Sequence, residues 1–395
     1  MKFDLYMKTV ACALIVIAFL MPLQGSGDVL LCQGTMASSV HYVQTREISA
    51  PDGTQTLVVE LPGALNATLF GYSLEMQSFH ISYSKRPDTV VPTSEGICAT
   101  WINPPARLNY TIDADLKIDV HVDGLNSESQ FPVKLPVSDE GASKYLSASK
   151  HVQSNDSEIK NTAKALTNNT PYESAAVTSI MLWVSDNLKY DANVTSHDAS
   201  WTFHNRRGTC ENYAHLSLAL LRSVGIPARY VSGYLVNGEI QVNGYVTSYG
   251  YRWDAGPHSW IEVYYPDLGW VPYEPQKTLG FVDDHHVREA VGADAADVPN
   301  KLIYTYTGGN SGRVTINDSS SATIVQDTSA LRIVQTSTAS NQRVMSQEMA
   351  HGGTINDHIN VVSSEELLIW LALAVAVAFV VIVSSGLLLS HRRRR

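Results

Sequence analysis

"RRGTCENYAHLSLALLRSVGIPARYVSGYL", Arg206 to Leu235, decides how this chain is read. Gly208 and Thr209 supply a turn and an N-cap. Ala214, Ser217, Leu218 and Leu221 then recur at helical spacing until Gly225 and Pro227 stop the helix. Cys210 therefore stands in the first turn of a helix. Unpaired backbone N–H groups and the positive end of the helix dipole favour a thiolate there, and the thiolate is the nucleophilic form. Taken alone, the position also suits a small buried hydrophobe, because free cysteines are so often buried.

A second block, "GPHSWIEVYYPDLGWVPYEP", adds what a nucleophile needs. Alternation puts His258, Trp260, Glu262 and Tyr264 on one face of a strand, and a turn around Pro266 to Gly269 returns the chain through Trp270 to Glu274. Register decides whether His258 and Glu274 meet. A four-residue loop pairing Tyr265 with Trp270 puts Glu274 on the face opposite His258. A five-residue loop that pairs Tyr264 with Trp270 sets Glu274 across from Trp260 and diagonal to His258, and a bulge would also bring the two together. A cysteine at a helix start, a histidine on one strand and a carboxylate on the next supply nucleophile, base and base-orienter in order.

These two blocks resemble the transglutaminase-like superfamily, with its papain-like cysteine-enzyme core, in a membrane-anchored prokaryotic form. The resemblance covers roughly Lys144 to Phe281. It implies that Cys210 is the nucleophile, His258 the general base and acid, and Glu274 the orienting carboxylate. In the last position the family usually has an aspartate within a D-P-T-like ending, where this chain reads Glu274, Pro275, Gln276. The implied activity is attack on an amide or peptide bond through a thioester, ending in hydrolysis or transamidation. The alternative is an inactive cell-surface module that keeps the fold to bind protein or glycan. The backbone N–H of Cys210 is expected to serve as one oxyanion donor, with Trp201 or His204 as candidates for a second.

No cofactor and no metal are expected. His204 and His215 flank Cys210, and "DDHH" occupies Asp283 to His286, but the spacings match no standard zinc pattern. No acidic calcium loop of the D-x-D-x-D-G type occurs either.

Outside this core the organisation is read from composition and period. At 395 residues, 44% hydrophobic and 17% charged, the chain has enough apolar content for two or three packed domains. Residues 1–27 read as a signal peptide, with Lys2 and Lys8 leading an apolar run. Residues 28–140 read as a β-rich, β-sandwich-like domain. Its clearest strand is "TIDADLKIDVHVDG", where Ile112, Ala114, Leu116, Ile118, Val120 and Val122 alternate with polar residues. Residues 144–282 form the catalytic domain, with helices expected after Asp156 and after Pro171. Residues 283–366 are rich in Ser and Thr and read as weak β grading into a stalk. Residues 367–389 carry no charge over a length that crosses a bilayer, and the basic tail of 390–395 is expected to stay cytoplasmic. The fold class is therefore α+β: helices packed on an antiparallel sheet, preceded by a β-sandwich-like domain and followed by a stalk and one transmembrane helix.

That arrangement places the body on the extracytoplasmic face of the cell membrane, single-pass. The formal charge of −10 already includes the four terminal arginines, so the remainder is more acidic still, and a nucleic-acid partner is not expected. The expected partner is a protein or peptide with a reactive amide. Sequons at Asn66, Asn109, Asn155, Asn168, Asn193 and Asn317 fit a glycosylated exterior. With Cys12 in the signal, Cys32 and Cys98 are free to form a disulfide, leaving Cys210 as a lone thiol.

Overall fold

The computed structural model describes residues 29–337, apart from 63–64, 93–95, 123–124, 126, 136–138, 244–247, 277–280, 299–303 and 310–311. The expected signal peptide and transmembrane segment lie outside the described residues. Among the described residues no helix is long and apolar enough to cross a membrane.

Four of the described helices build the helical layer. In α1 (Ser157–Leu166) the carboxylate of Asp156 accepts from the backbone N–H of Glu158 and Ile159, satisfying two of the donors that a helix start leaves open. α2 (Glu173–Asn187) and α3 (Ala199–Asn205) follow. α4 (Cys210–Ser223) is buried along most of its length. The other three helices pack around it together with one face of a four-stranded antiparallel sheet.

That core sheet runs in the order β14 (Gly269–Tyr273), β13 (Gly256–Tyr265), β10 (Ala228–Leu235), β15 (His286–Gly292). Its two faces have different partners. Ile261, Val263, Tyr265, Val271 and Tyr273 pack on the helices, whereas Val231, Trp260 and Val287 pack with residues of a second, longer sheet. The core is thus a sheet held between a helical layer and a β layer, and it extends past residue 282 to take β15 as its edge.

The longer sheet has the order β12 (Ser248–Trp253), β11 (Gly238–Asn243), β17 (Thr315–Ser337), β1 (Val29–Ser49), β7 (Arg107–Val122), β4 (Tyr72–Tyr83), β3 (Ala67–Leu69). On β7 every residue of the alternating set from Ile112 to Val122 is buried. One end of this sheet packs on a third one, β16 (Tyr304–Gly308), β2 (Thr54–Pro62), β6 (Gly96–Ile102), β5 (Thr89–Pro92), around Ile48, Leu57, Trp101 and Tyr110. Two sheets do face each other here, but they do not close from N-terminal residues alone. β17 pairs with β1 from Val29–Ser337 to Ser49–Thr315, and β16 pairs with β2. The segment expected as weak β supplies the strands that complete both sheets, and all of these strands belong to one compact unit.

The expected Cys32–Cys98 bridge is corrected by this arrangement. Cys98 is a free thiol on β6. Cys32 occupies the end of β1 remote from Ile48, which is the part of β1 packed against the β6 sheet. At ~3.4 Å per strand residue the two lie tens of ångströms apart, far beyond disulfide reach.

Candidate active site

The site is assembled at the start of α4. A short parallel pair, β8 (Lys189–Tyr190) with β9 (Arg207–Gly208), anchors the chain just before it. Thr209 is extended, with φ −83° and ψ 178°, and serves as the N-cap. Its N–H donates to Asn212 Oδ1 at 3.1 Å, and Asn212 Nδ2 donates to Thr202 Oγ1 at 2.7 Å and to the Ser196 carbonyl at 3.0 Å. This side chain ties the helix start to α3. Gly208 is needed for it, because a Cβ there would lie 2.2 Å from that of Asn212. Cys210 is the first residue of the helix, a partly buried free thiol, as the spacing requires.

His258 is on β13, paired with Gly233 of β10. A Cβ on Gly233 would meet the Trp260 ring at 2.3 Å, so the glycine makes room for an indole that lies beside the His258 ring, with centroids 6.1 Å apart and planes 28° from parallel. Cys210 is near enough to His258 to favour its charged form. His258 Nε2 donates to Glu274 Oε2 at 2.6 Å, which leaves Nδ1 as the nitrogen for the thiol. Burial alone would discharge this imidazole. The Glu274 carboxylate, the hydrogen bond to it and the neighbouring Cys210 outweigh that and raise its pKa to about 10.

Glu274 reaches His258 through the longer-loop register. Tyr264 pairs with Trp270 and Ile261 with Tyr273, which places Glu274 opposite Trp260 and diagonal to His258. The loop achieves this with a turn in which the Leu268 N–H donates to the Tyr265 carbonyl at 3.2 Å, followed by Gly269 at φ +77°. Pro266 suits the second turn position and the glycine suits the left-handed residue after it. Glu274 is buried. Desolvation would push its pKa up, but His258 and the hydrogen bonds from His258 and His286 hold it well below the usual carboxylate range.

The His286 contact has no counterpart in the reading of the sequence. His286 Nε2 lies 3.3 Å from the same Glu274 oxygen, and its Nδ1 lies 2.8 Å from Asp283 Oδ1. Donor atoms of His258, Glu274 and His286 fall within 4.8 Å of one another, as do those of Asp283, Asp284 and His285. In the first group Glu274 Oε2 is shared by the two imidazoles, whereas in the second Asp284 Oδ1 lies 3.3 Å from His285 Nδ1 and both Asp284 oxygens are buried without a hydrogen-bond partner among the described residues. His215 is also committed elsewhere: its Nδ1 donates to the His197 carbonyl at 2.7 Å and its Nε2 accepts from the Ala295 N–H at 3.2 Å.

Of the two candidates for a second oxyanion donor, His204 has both ring nitrogens engaged elsewhere. His204 is exposed on α3, with Nδ1 on the Ser200 carbonyl at 2.7 Å and Nε2 3.5 Å from Glu158. Trp201 lies under the Arg207 guanidinium at 5.9 Å. Beneath the site, fully buried Glu262 accepts from Arg229 Nε at 2.6 Å and Arg288 Nε at 2.7 Å, locking β13 to both β10 and β15.

Comparison with known proteins agrees with this geometry. Residues 160–275 match the profile of the transglutaminase-like superfamily. An uncharacterized protein of Mycobacterium leprae is 35% identical over 136 residues, which are 34% of this chain and 46% of that protein. A protein-glutamine gamma-glutamyltransferase of Pseudomonas aeruginosa is 39% identical over 74 residues, 18% of this chain and 10% of that enzyme. The chain therefore spans less than half the length of these relatives. Among solved structures, a cysteine-protease candidate from Cytophaga hutchinsonii superposes with a TM-score of 0.52 at 17% identity, covering 83% of this chain and all of that one. This likeness reaches beyond the superfamily segment and speaks to the fold.

Proposed function

We propose that this protein is a membrane-anchored, extracytoplasmic cysteine enzyme that cleaves or transfers amide bonds through Cys210, His258 and Glu274. The observation that carries the reading is one imidazole, His258, held by Nε2 2.6 Å from a buried carboxylate and near enough to the Cys210 sulfur at a helix start for that sulfur to favour its charged form. The thiolate attacks the substrate carbonyl carbon. Negative charge then develops on the carbonyl oxygen, where the Cys210 backbone N–H at the positive end of α4 stabilises it. Collapse of this adduct breaks the C–N bond, His258 Nδ1 gives its proton to the departing amine, and a thioester remains on Cys210. His258 next takes a proton from water, or from an amine, as that nucleophile attacks the thioester and regenerates the thiol. Glu274 holds the ring in one orientation and balances its charge throughout.

Hydrolysis is the favoured outcome, because no tunnel for a lysine-like acceptor is recognised in the sequence and water is always present outside the cell. The Pseudomonas aeruginosa relative bears the name of a transferase, so both outcomes belong in one test. A glutamine-containing peptide is incubated with and without a primary amine, and the protein is examined by mass spectrometry for a thioester at Cys210. Ammonia release or chain cleavage regardless of amine supports the hydrolase. Amine incorporation supports the transferase. An inert Cys210 across all substrates would return the protein to the reading of a binding module.

A further inference from the structure

We propose that His286, braced by Asp283, is a positioning residue for Glu274, so that the site is a five-member chain running Cys210, His258, Glu274, His286, Asp283. The inference rests on the roles proposed for Cys210, His258 and Glu274 and adds what holds the third of them. Glutamate has one more rotatable bond than aspartate, so its carboxylate needs more restraint to stay on the His258 ring. The structure supplies that restraint at both oxygens. Oε1 accepts from the Gln276 N–H at 2.8 Å, and Oε2 lies between His258 Nε2 at 2.6 Å and His286 Nε2 at 3.3 Å.

His286 is itself fixed on every side. Its Nδ1 faces Asp283 Oδ1 at 2.8 Å, its carbonyl accepts from the buried Tyr72 hydroxyl at 2.6 Å, and its ring meets Trp260 edge-on at 5.2 Å. The charged and titratable groups that face it are Asp283, Glu274 and, ring to ring at 5.4 Å, His258. Two carboxylates on its two nitrogens can both be satisfied only if both nitrogens carry protons. The chain then alternates in sign: thiolate, imidazolium, carboxylate, imidazolium, carboxylate. No member is left as a lone buried charge, which is the condition for burying charge at acceptable cost. Desolvation works against the His286 charge, but Asp283 and the hydrogen bonds to Asp283 and Glu274 prevail and raise its pKa to about 9.

Histidine 15N–1H NMR on the whole protein tests this without a substrate. In the wild type both His286 nitrogens are expected to be protonated at pH 7. Loss of that proton near pH 9 is expected to move the His258 Nε2–H signal as well. In His286→Gln, which keeps a neutral donor, the His258 Nε2–H resonance should shift or broaden at pH 7. With a turned-over peptide, kcat/KM should fall about tenfold or more at pH 7, the scale seen when an outer partner of an active-site group is removed. The gap should close above pH 9, where wild-type His286 loses its own proton, whereas a merely structural defect gives a constant ratio. In a Glu274→Asp background His286→Gln should cost much less, because the shorter carboxylate does not span both rings. A His286 that is neutral at pH 7 in the wild type, a ratio that does not change with pH, or additive effects of the two substitutions would each overturn the proposal. The wild-type spectrum decides even if His286→Gln fails to fold. Slow alkylation of wild-type Cys210 at pH 7 would remove the functional reading beneath it, a different failure from fast alkylation with His286 neutral.

Discussion

His258 has a carboxylate on one nitrogen and the Cys210 sulfur near it, and this makes its proton both hard to remove and easy to direct. The Glu274 carboxylate and the Cys210 contact raise its pKa against the opposing effect of burial, to about 10. For a histidine raised in this way, the stabilisation is fully present below the ordinary imidazole range and is lost as pH rises from there through about 10. Turnover should therefore hold through pH 8 and 9 and fall toward 10 as the acid that protonates the leaving amine disappears. Iodoacetamide alkylation of Cys210, which needs only a thiolate, should not fall with it; a parallel decline of both would exclude His258 as the acid. Substitutions should rank in the same logic. Cys210→Ala should remove the covalent route, a loss on the order of 10^6-fold in kcat, while Glu274→Gln should cost about two orders of magnitude less because nucleophile and base remain. Steady-state kinetics on the purified variants would reveal an inverted order.

At the scale of elements, the sequence shows the site wherever one local choice has a large consequence. The slip between a four- and a five-residue loop throws Glu274 to the wrong face, so demanding that it meet His258 excludes the regular four-residue hairpin and leaves the longer loop or a bulge, of which the structure takes the pairing of Tyr264 with Trp270. The helix start at Cys210 was legible for the same reason, since Gly208, Thr209 and the following apolar period admit one boundary. His286 was not legible, because it enters from a different strand, β15, and its place beside Glu274 depends on how β15 pairs with β10. Glycine 233 was equally hidden, since its role is a distance to Trp260 that no spacing reveals. It gives a prediction of its own. In Gly233→Ala the new methyl meets both the Trp260 ring and the Val287 carbonyl at 2.3 Å, and backbone cannot yield as a side-chain end does. Overpacking should cost about 1–3 kcal/mol of stability by denaturant unfolding. Because Trp260 lies beside His258, kcat should fall further than that of a surface variant of equal stability. Unchanged kcat in a folded Gly233→Ala protein would show that the indole does not position the histidine.

Over the described residues, the first strand and the last are drawn into one sheet, and this is where composition read the sequence least well. "TINDSSSATIVQDTSALRIVQTS", Thr315 to Ser337, is rich in serine and threonine and resembles a stalk, yet it forms the strand that pairs with β1 from end to end. Threonine and serine tolerate extended backbone, and the strand's stability comes from its neighbour more than from its own apolar residues, so local propensity under-reports it. β1 is in turn the support for β7, whose buried face contributes to both cores of the β layer. The same β layer covers the Trp260 face of the core sheet. Truncation after residue 314 should therefore act at a distance. It strips the ladder partner from the full length of β1 and leaves a long unpaired edge, a template for association between chains. The truncated protein should aggregate or unfold at lower denaturant concentration than the intact one, and Cys210 should lose its selective reactivity with iodoacetamide even though all of residues 144–282 is retained. Size-exclusion chromatography and the alkylation rate of the two forms measure this directly. A monomeric truncated form with undiminished Cys210 reactivity would mean that the catalytic core stands without the β layer, and that β17 serves the sheet alone.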